Sequence, residues 1–102
     1  MRAIKIDAEI QKIYVADIDS YNINEKLKCD FAASYHDSNM MEDCILLYDD
    51  LSMYKDIRHG FYINNKLFAG NGLIVRKNES AILDCNMELN EVEDMIEFES
   101  FN

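Results

Sequence analysis

The stretch Phe61-Tyr62-Ile63-Asn64-Asn65-Lys66-Leu67-Phe68-Ala69-Gly70-Asn71-Gly72-Leu73-Ile74-Val75 decides the fold class. Its apolar runs are too short for helices, are rich in aromatic and β-branched residues, and are separated by residues that tolerate a positive φ. Asn64-Asn65 reads as the two-residue turn of a hairpin, because asparagine enters the left-handed region more readily than most side chains. Gly70-Asn71-Gly72 marks a sharp backbone feature, with glycines able to sit at positive φ on either side of the asparagine. It is not a phosphate loop: it leads into a strand and not a helix N-terminus, and the Lys-Ser or Lys-Thr pair is missing.

The same short-strand pattern continues outward in both directions. Ile4 and Ile6 alternate with Lys5 and Asp7, and Ile13 to Ile18 supplies a partner strand after a turn, Ala8 to Lys12, that lacks glycine. Ser20 and Asn22 can each accept a backbone N–H at a helix start. Asn22 also has Glu25 at capping-box spacing, so a short helix is expected from Ile23 to Cys29 with Ile23 and Leu27 facing the core. Phe31 to Tyr35 suits either a strand or a continuation of that helix, and strand is preferred.

Cys44-Ile45-Leu46-Leu47-Tyr48 is a continuous apolar run, as in a strand covered on both faces. Leu51 to His59 reads as a connection holding one helical turn. Arg76 to Ser80 reads as a turn and Ala81 to Leu83 as a strand. Leu89, Val92 and Ile96 share one face of a helix, and Phe98 to Phe101 form a last short strand. Glu88 suits the positive end of that helix dipole, whereas Asp94 and Glu97 oppose its far end.

The expected architecture is a single α+β domain over residues 1–102: an antiparallel, twisted sheet of about five or six strands with two short helices on one face. The 49% hydrophobic and 11% aromatic content supports a folded core. No run approaches the roughly 18 apolar residues of a membrane helix, and the N-terminus alternates in polarity where a signal would be apolar, so a cytoplasmic protein is expected. Cys29, Cys44 and Cys85 read as free thiols in a reducing compartment.

Charge is unevenly placed. Twenty Asp and Glu oppose ten Lys and Arg, for a net charge of −10, and no Lys or Arg follows Lys77. Residues 78–102 hold Glu79, Asp84, Glu88, Glu91, Glu93, Asp94, Glu97 and Glu99, a charge of −8 that leaves −2 to residues 1–77. Such a field repels a phosphate backbone and disfavours direct nucleic-acid binding, so none is expected, but it attracts a protein with a basic surface. Glu88, Glu91, Glu93, Asp94 and Glu97 are therefore the candidate interaction residues, and a homodimer is compatible with the sequence.

Catalytic chemistry finds little support. Asp49 and Asp50 are neighbours on a strand end and point to opposite faces, which is not the converging oxygen set of a divalent cation. His36 and His59 lack a second ligand at metal spacing, and a Cys44–His pairing would need a thiol that its apolar run makes inert. No enzyme, metal or cofactor is expected. The alternative to a protein partner is a small molecule or nucleotide held near Gly70, Asn71 and Gly72, provided that Arg58, Lys66, Arg76 or Lys77 converges there.

The opening Arg2-Ala3-Ile4-Lys5-Ile6-Asp7, the strand end Leu47-Tyr48-Asp49-Asp50, and the stretch from Phe61 to Val75 together resemble a family of small single-domain proteins carried by bacteriophages, prophages and plasmids, grouped as a domain of unknown function. Leu89-Asn90-Glu91-Val92 and Ile96-Glu97-Phe98 match the helix and final strand with which its members end. This chain departs at Leu51-Ser52, where an acidic-Gly pair is usual, and in the glycine-free turn from Arg76 to Ser80. The resemblance implies a setting, the mobile elements of bacteria, and carries over no catalytic residue. Combined with the acidic segment, it leads to the expectation of a non-enzymatic interaction module that inhibits a host nucleic-acid-handling or defence protein.

Overall fold

The computed structural model describes residues 1–19 and 21–101, apart from the Met53 side chain; Ser20, one of the two helix-start residues named above, lies outside them. β1 (Arg2–Asp7) and β2 (Lys12–Asp17) form the expected hairpin, in register from Arg2 opposite Asp17 to Asp7 opposite Lys12. Its turn needs no glycine because Gln11 takes the left-handed conformation, at φ 54°. Helix α1 (Ile23–Leu27) precedes β3 (Ala32–Tyr35), which pairs with β4 (Cys44–Asp49). The connection after β4 holds one 3-10 turn, Ser52–Tyr54. Then come β5 (His59–Ile63), β6 (Lys66–Ala69), β7 (Gly72–Lys77), β8 (Ile82–Leu83), α2 (Leu89–Met95) and β9 (Ile96–Ser100). Asn64 and Asn65, at φ 48° and 70°, make the β5–β6 turn as the sequence predicts.

Every pairing is antiparallel, but the strands do not form one sheet. Among the described residues, six make a large sheet ordered β2-β1-β7-β4-β3, with β8 beside the far end of β7, and three make a small sheet ordered β6-β5-β9. The sidedness of the strands explains the division. Phe61, Ile63 and Phe68 project from one face of the small sheet and would meet water if it merely extended the large one. Stacked face to face, they are buried against Ile4, Ile6, Leu46 and Ile74. Phe61 is fully buried and stacks on Phe68 with ring centroids 5.4 Å apart. A Phe61→Ala change at such a site costs about 3–5 kcal/mol.

The two helices do not share a face either. Val92 of α2 joins the cluster between the sheets, whereas Leu27 of α1 packs with Ala3, Leu73 and Val75 on the opposite side of the large sheet. The cause is visible in β7, where Leu73, Ile74 and Val75 are consecutive and buried, so both faces of the sheet need cover.

Three local expectations are also corrected. Asn22 does not cap α1: its Oδ1 accepts the Asp19 N–H at 2.9 Å, while Asp19 Oδ1 accepts those of Tyr21 and Asn22 at 2.8 and 3.0 Å, closing a turn before the helix. Ile96 is not the last residue of α2 but extended backbone at φ −103°, ψ 135°, the first residue of β9. Gly72 is not at positive φ; only Gly70 is, at 84°. Gly72 instead leaves room for its neighbours, because a Cβ there would lie 2.7 Å from Leu46 Cδ1 and 2.8 Å from Phe61 Cζ.

Candidate functional site

The acidic segment is presented by α2 and β9. Leu89, Val92 and Met95 turn toward the core, so Glu91, Glu93 and Asp94 are left exposed on the rest of the helix. Along β9, Ile96 and Phe98 face inward opposite Ile63 and Phe61, which directs Glu97 and Glu99 to the outer face opposite Tyr62 and Gly60. The five candidate residues therefore do not share one helical face. The Glu91 carboxylate accepts the Glu88 N–H at 3.0 Å and is used in closing the helix start. Glu93 and Asp94 are free on the helix, and Glu97 belongs to the strand. There it stands two residues from Glu99, an exposed acid outside the five named from the sequence.

None of these carboxylates is neutralised within the fold. The ion pairs among the described residues are those of the Met1 amino group with Asp17, Lys55 with Asp49, Arg58 with Asp56, and Arg76 with Asp43. All of them use acids that precede Lys77. Asp84 accepts the Arg2 N–H at 2.7 Å, a backbone anchor taken up by the acidic tail outside its own helix. Beside Glu99 the outer face of the small sheet carries a groove of about 470 Å³, lined by Ile57, Tyr62, Leu67, Ala69 and Phe101 together with Ser52 and Lys55.

A second hollow, of about 200 Å³, lies at the Gly70-Asn71 turn and is also lined by Lys28, Asp49, Lys55 and His59. The cations named from the sequence do not meet there. Arg58 and Arg76 are spent on Asp56 and Asp43 at 2.8 and 2.6 Å, and the Lys66 ammonium lies 4.5 Å from the centre of the Tyr35 ring. Lys77 lines hollows at the other end of β7. Lys28 and Lys55 take their place, but the Lys55 ammonium is 2.6 Å from Asp49 Oδ2, a hydrogen bond that raises its pKa above the ordinary 10.5. Asn71 is structural in part, since its Oδ1 accepts the Ala8 N–H at 2.9 Å.

The residues considered for catalysis are held in separate places. Asp49 is buried and Asp50 exposed. The His36 Nδ1 lies 2.8 Å from the Cys44 carbonyl oxygen and so contacts the backbone of Cys44. The Cys44 thiol is buried against Cys85, which together with desolvation pushes its pKa up to about 12, far from a thiolate nucleophile. Among the described residues no three His, Cys, Asp or Glu side chains cluster as metal ligands, and no helix is long and apolar enough to cross a membrane. Comparison of the chain with protein-family models, with curated proteins and with solved structures finds no match.

Proposed function

We propose that this chain is a non-enzymatic interaction module of a mobile genetic element, which attaches through its acidic C-terminal segment to a host protein with a basic surface and thereby blocks a nucleic-acid-handling or defence function. The observation that carries this reading is that none of the acids after Lys77 enters an ion pair among the described residues, whereas the four ion pairs present there all use acids that precede it. Unpaired charge of one sign on a surface speeds encounter with an oppositely charged partner by about 10–10³-fold at low salt. The motif resemblance supplies the setting, and the net charge of −10 opposes any direct contact with nucleic acid.

The test is retention of host-lysate proteins on the immobilised chain, compared with a Glu93→Lys, Asp94→Lys, Glu97→Lys, Glu99→Lys variant. Basic proteins held at about 0.05 M salt and released near 1 M, where the Debye length shrinks to about 3 Å, are expected for the native chain alone. Equal retention by both chains would defeat the proposal.

A second reading, a small-molecule or nucleotide module, is favoured by one observation, the hollow where Lys28 and His59 accompany Gly70 and Asn71. Calorimetric titration with nucleotides separates the two readings: heat that disappears in a Lys28→Glu variant would select the second.

A further inference from the structure

Among the described residues β9 has one hydrogen-bonded neighbour, β5, and so forms an edge of the small sheet. Which of its backbone groups are spare follows from the register. The Phe101 N–H donates to the Arg58 carbonyl at 2.9 Å, in line with the pairing of Ser100 with His59. Directly opposed residues of an antiparallel pair alternate between bonded and non-bonded, so Glu99 and Glu97 also direct their backbone toward β5. The N–H and C=O groups of Phe98 and Ser100 and the C=O of Ile96 point the other way, whereas the Ile96 N–H donates to the Glu93 carbonyl at the end of α2. The far side of β5 agrees: the Gly70 N–H donates to the His59 carbonyl at 2.8 Å, so His59, Phe61 and Ile63 serve β6 and leave Gly60 and Tyr62 for β9.

The side chains along this edge state what can be added to it. Glu97 and Glu99 stand on the outer face, exposed and in none of the ion pairs among the described residues, while Ile96 and Phe98 stand on the inner face at the margin of the core. A second copy of β9 would bring Glu97 and Glu99 against the same two carboxylates, and like charges opposed across strands repel. A strand that alternates Lys or Arg with apolar residues meets both faces correctly. Its cations lie beside Glu97 and Glu99, and its apolar residues lie beside Phe98.

Resting on the reading of the acidic segment as a docking surface, we infer that β9 is the docking edge, and that its occupant is an extended segment of a partner protein, alternating Lys or Arg with apolar residues, which joins the small sheet as an additional antiparallel strand. The bound segment's apolar residues, opposite Phe98 and Ser100, make the backbone hydrogen bonds, and its basic residues supply the selectivity.

The probe is the synthetic peptide Lys-Val-Lys-Val-Lys, blocked at both ends, titrated into the full chain at low salt. Hydrogen exchange of the free protein is expected to be fast at the Phe98 and Ser100 amides and slow at Glu97 and Glu99, and the peptide is expected to slow the first pair. Methylating the valine nitrogens removes the donors that face β9 and is expected to weaken binding about tenfold or more. Methylating the lysine nitrogens, which face outward, is expected to leave binding unchanged. Glu97→Lys with Glu99→Lys is expected to transfer preference to Glu-Val-Glu-Val-Glu.

Binding of the valine-methylated peptide as tight as that of the parent overturns edge docking while the acidic-surface reading stands. Protection of Phe98 and Ser100 in the free protein also overturns it, since the edge would already be occupied. Absence of salt-sensitive binding by any of these peptides overturns the docking edge and, when lysate retention is also insensitive to charge reversal, the acidic-surface reading with it.

Discussion

Cys44 and Cys85 meet thiol to thiol in the cluster between the two sheets, both essentially inaccessible to water, one at the start of β4 and the other on the segment that leads from β8 to α2. Desolvation, followed by the neighbouring Cys85, raises the Cys44 pKa to about 12, so the thiolate is negligible at pH 8. Cys29 is only half-buried, although burial raises its pKa as well. An aromatic disulfide reagent at pH 8 is therefore expected to modify Cys29 alone in the native protein and all three cysteines in guanidinium chloride. Rapid native labelling of Cys44 or Cys85, located by peptide mass, would contradict the described packing.

Gly70 and Gly72 are two residues apart and will respond to alanine for different reasons. At Gly72 the added methyl collides with Leu46 and Phe61, which places Gly72→Ala among overpacked core variants at about 1–3 kcal/mol of lost stability. At Gly70 the nearest atom to an added Cβ is Ile57 Cδ1 at 3.6 Å, so space is sufficient and the left-handed backbone sets the cost, about 1–2 kcal/mol. Urea denaturation should therefore show Gly70→Asn milder than Gly70→Ala, because asparagine tolerates that conformation. Gly72→Asn should be worse than Gly72→Ala.

Asp94 lies in the last turn of α2, next to the negative end of the helix dipole, without a cation to offset it. Asp94→Lys is expected to stabilise the fold by about 0.3–1 kcal/mol, read as a higher urea midpoint, and also to weaken retention of basic partners. A stabilised variant with undiminished retention would remove Asp94 from the interaction surface. A gain in stability combined with a loss of binding would mark a position where the fold tolerates a locally unfavourable charge for the sake of its partner.

Asp37 is buried, and its Oδ2 accepts the Asn39 N–H at 2.9 Å while Oδ1 accepts the Tyr35 hydroxyl at 3.1 Å. The Asn39 N–H is the largest influence and holds the carboxyl below its ordinary 3.8, with burial acting in the other direction. A depressed folded-state pKa contributes stability that is complete above the unfolded value and disappears as pH falls through the folded one. Urea midpoints should therefore decline as pH drops below about 3.8, and Asp37→Asn should start lower at neutral pH and decline less steeply. Parallel curves for the two proteins would assign the acid sensitivity elsewhere.

How much of this was readable in the sequence depended on whether the determining contact was local. Asn64-Asn65 announces its hairpin because asparagine at positive φ is a property of two adjacent residues, and the alternation of Ile4 and Ile6 with charged residues is equally self-contained. The division into two sheets was not readable, because Phe61 opposite Phe98 and Ile4 opposite Ile74 are pairings between distant residues with no local signature. Ile96 misled for a more specific reason. It completes the helical spacing of Leu89 and Val92 and equally begins the alternation of Ile96 and Phe98, and only pairing with Ile63 selects the strand. That one ambiguity placed Glu97 on the wrong element. The cations around Gly70 and Asn71 were missed because Lys28 and Lys55 reach the hollow through the fold, and nothing in their own neighbourhood points to it.

β7 is the keystone of the large sheet, flanked by β1 and β8 on one side and β4 on the other, yet it begins only at Gly72. During synthesis the β1–β2 and β3–β4 hairpins emerge first and have no means of joining, since every hydrogen bond between them runs through a strand not yet made. Isolated hairpins of this kind are marginal in water. Cooperative assembly therefore waits for the last third of the polypeptide, and nascent chains arrested before Gly72 should be as sensitive to protease as unfolded ones.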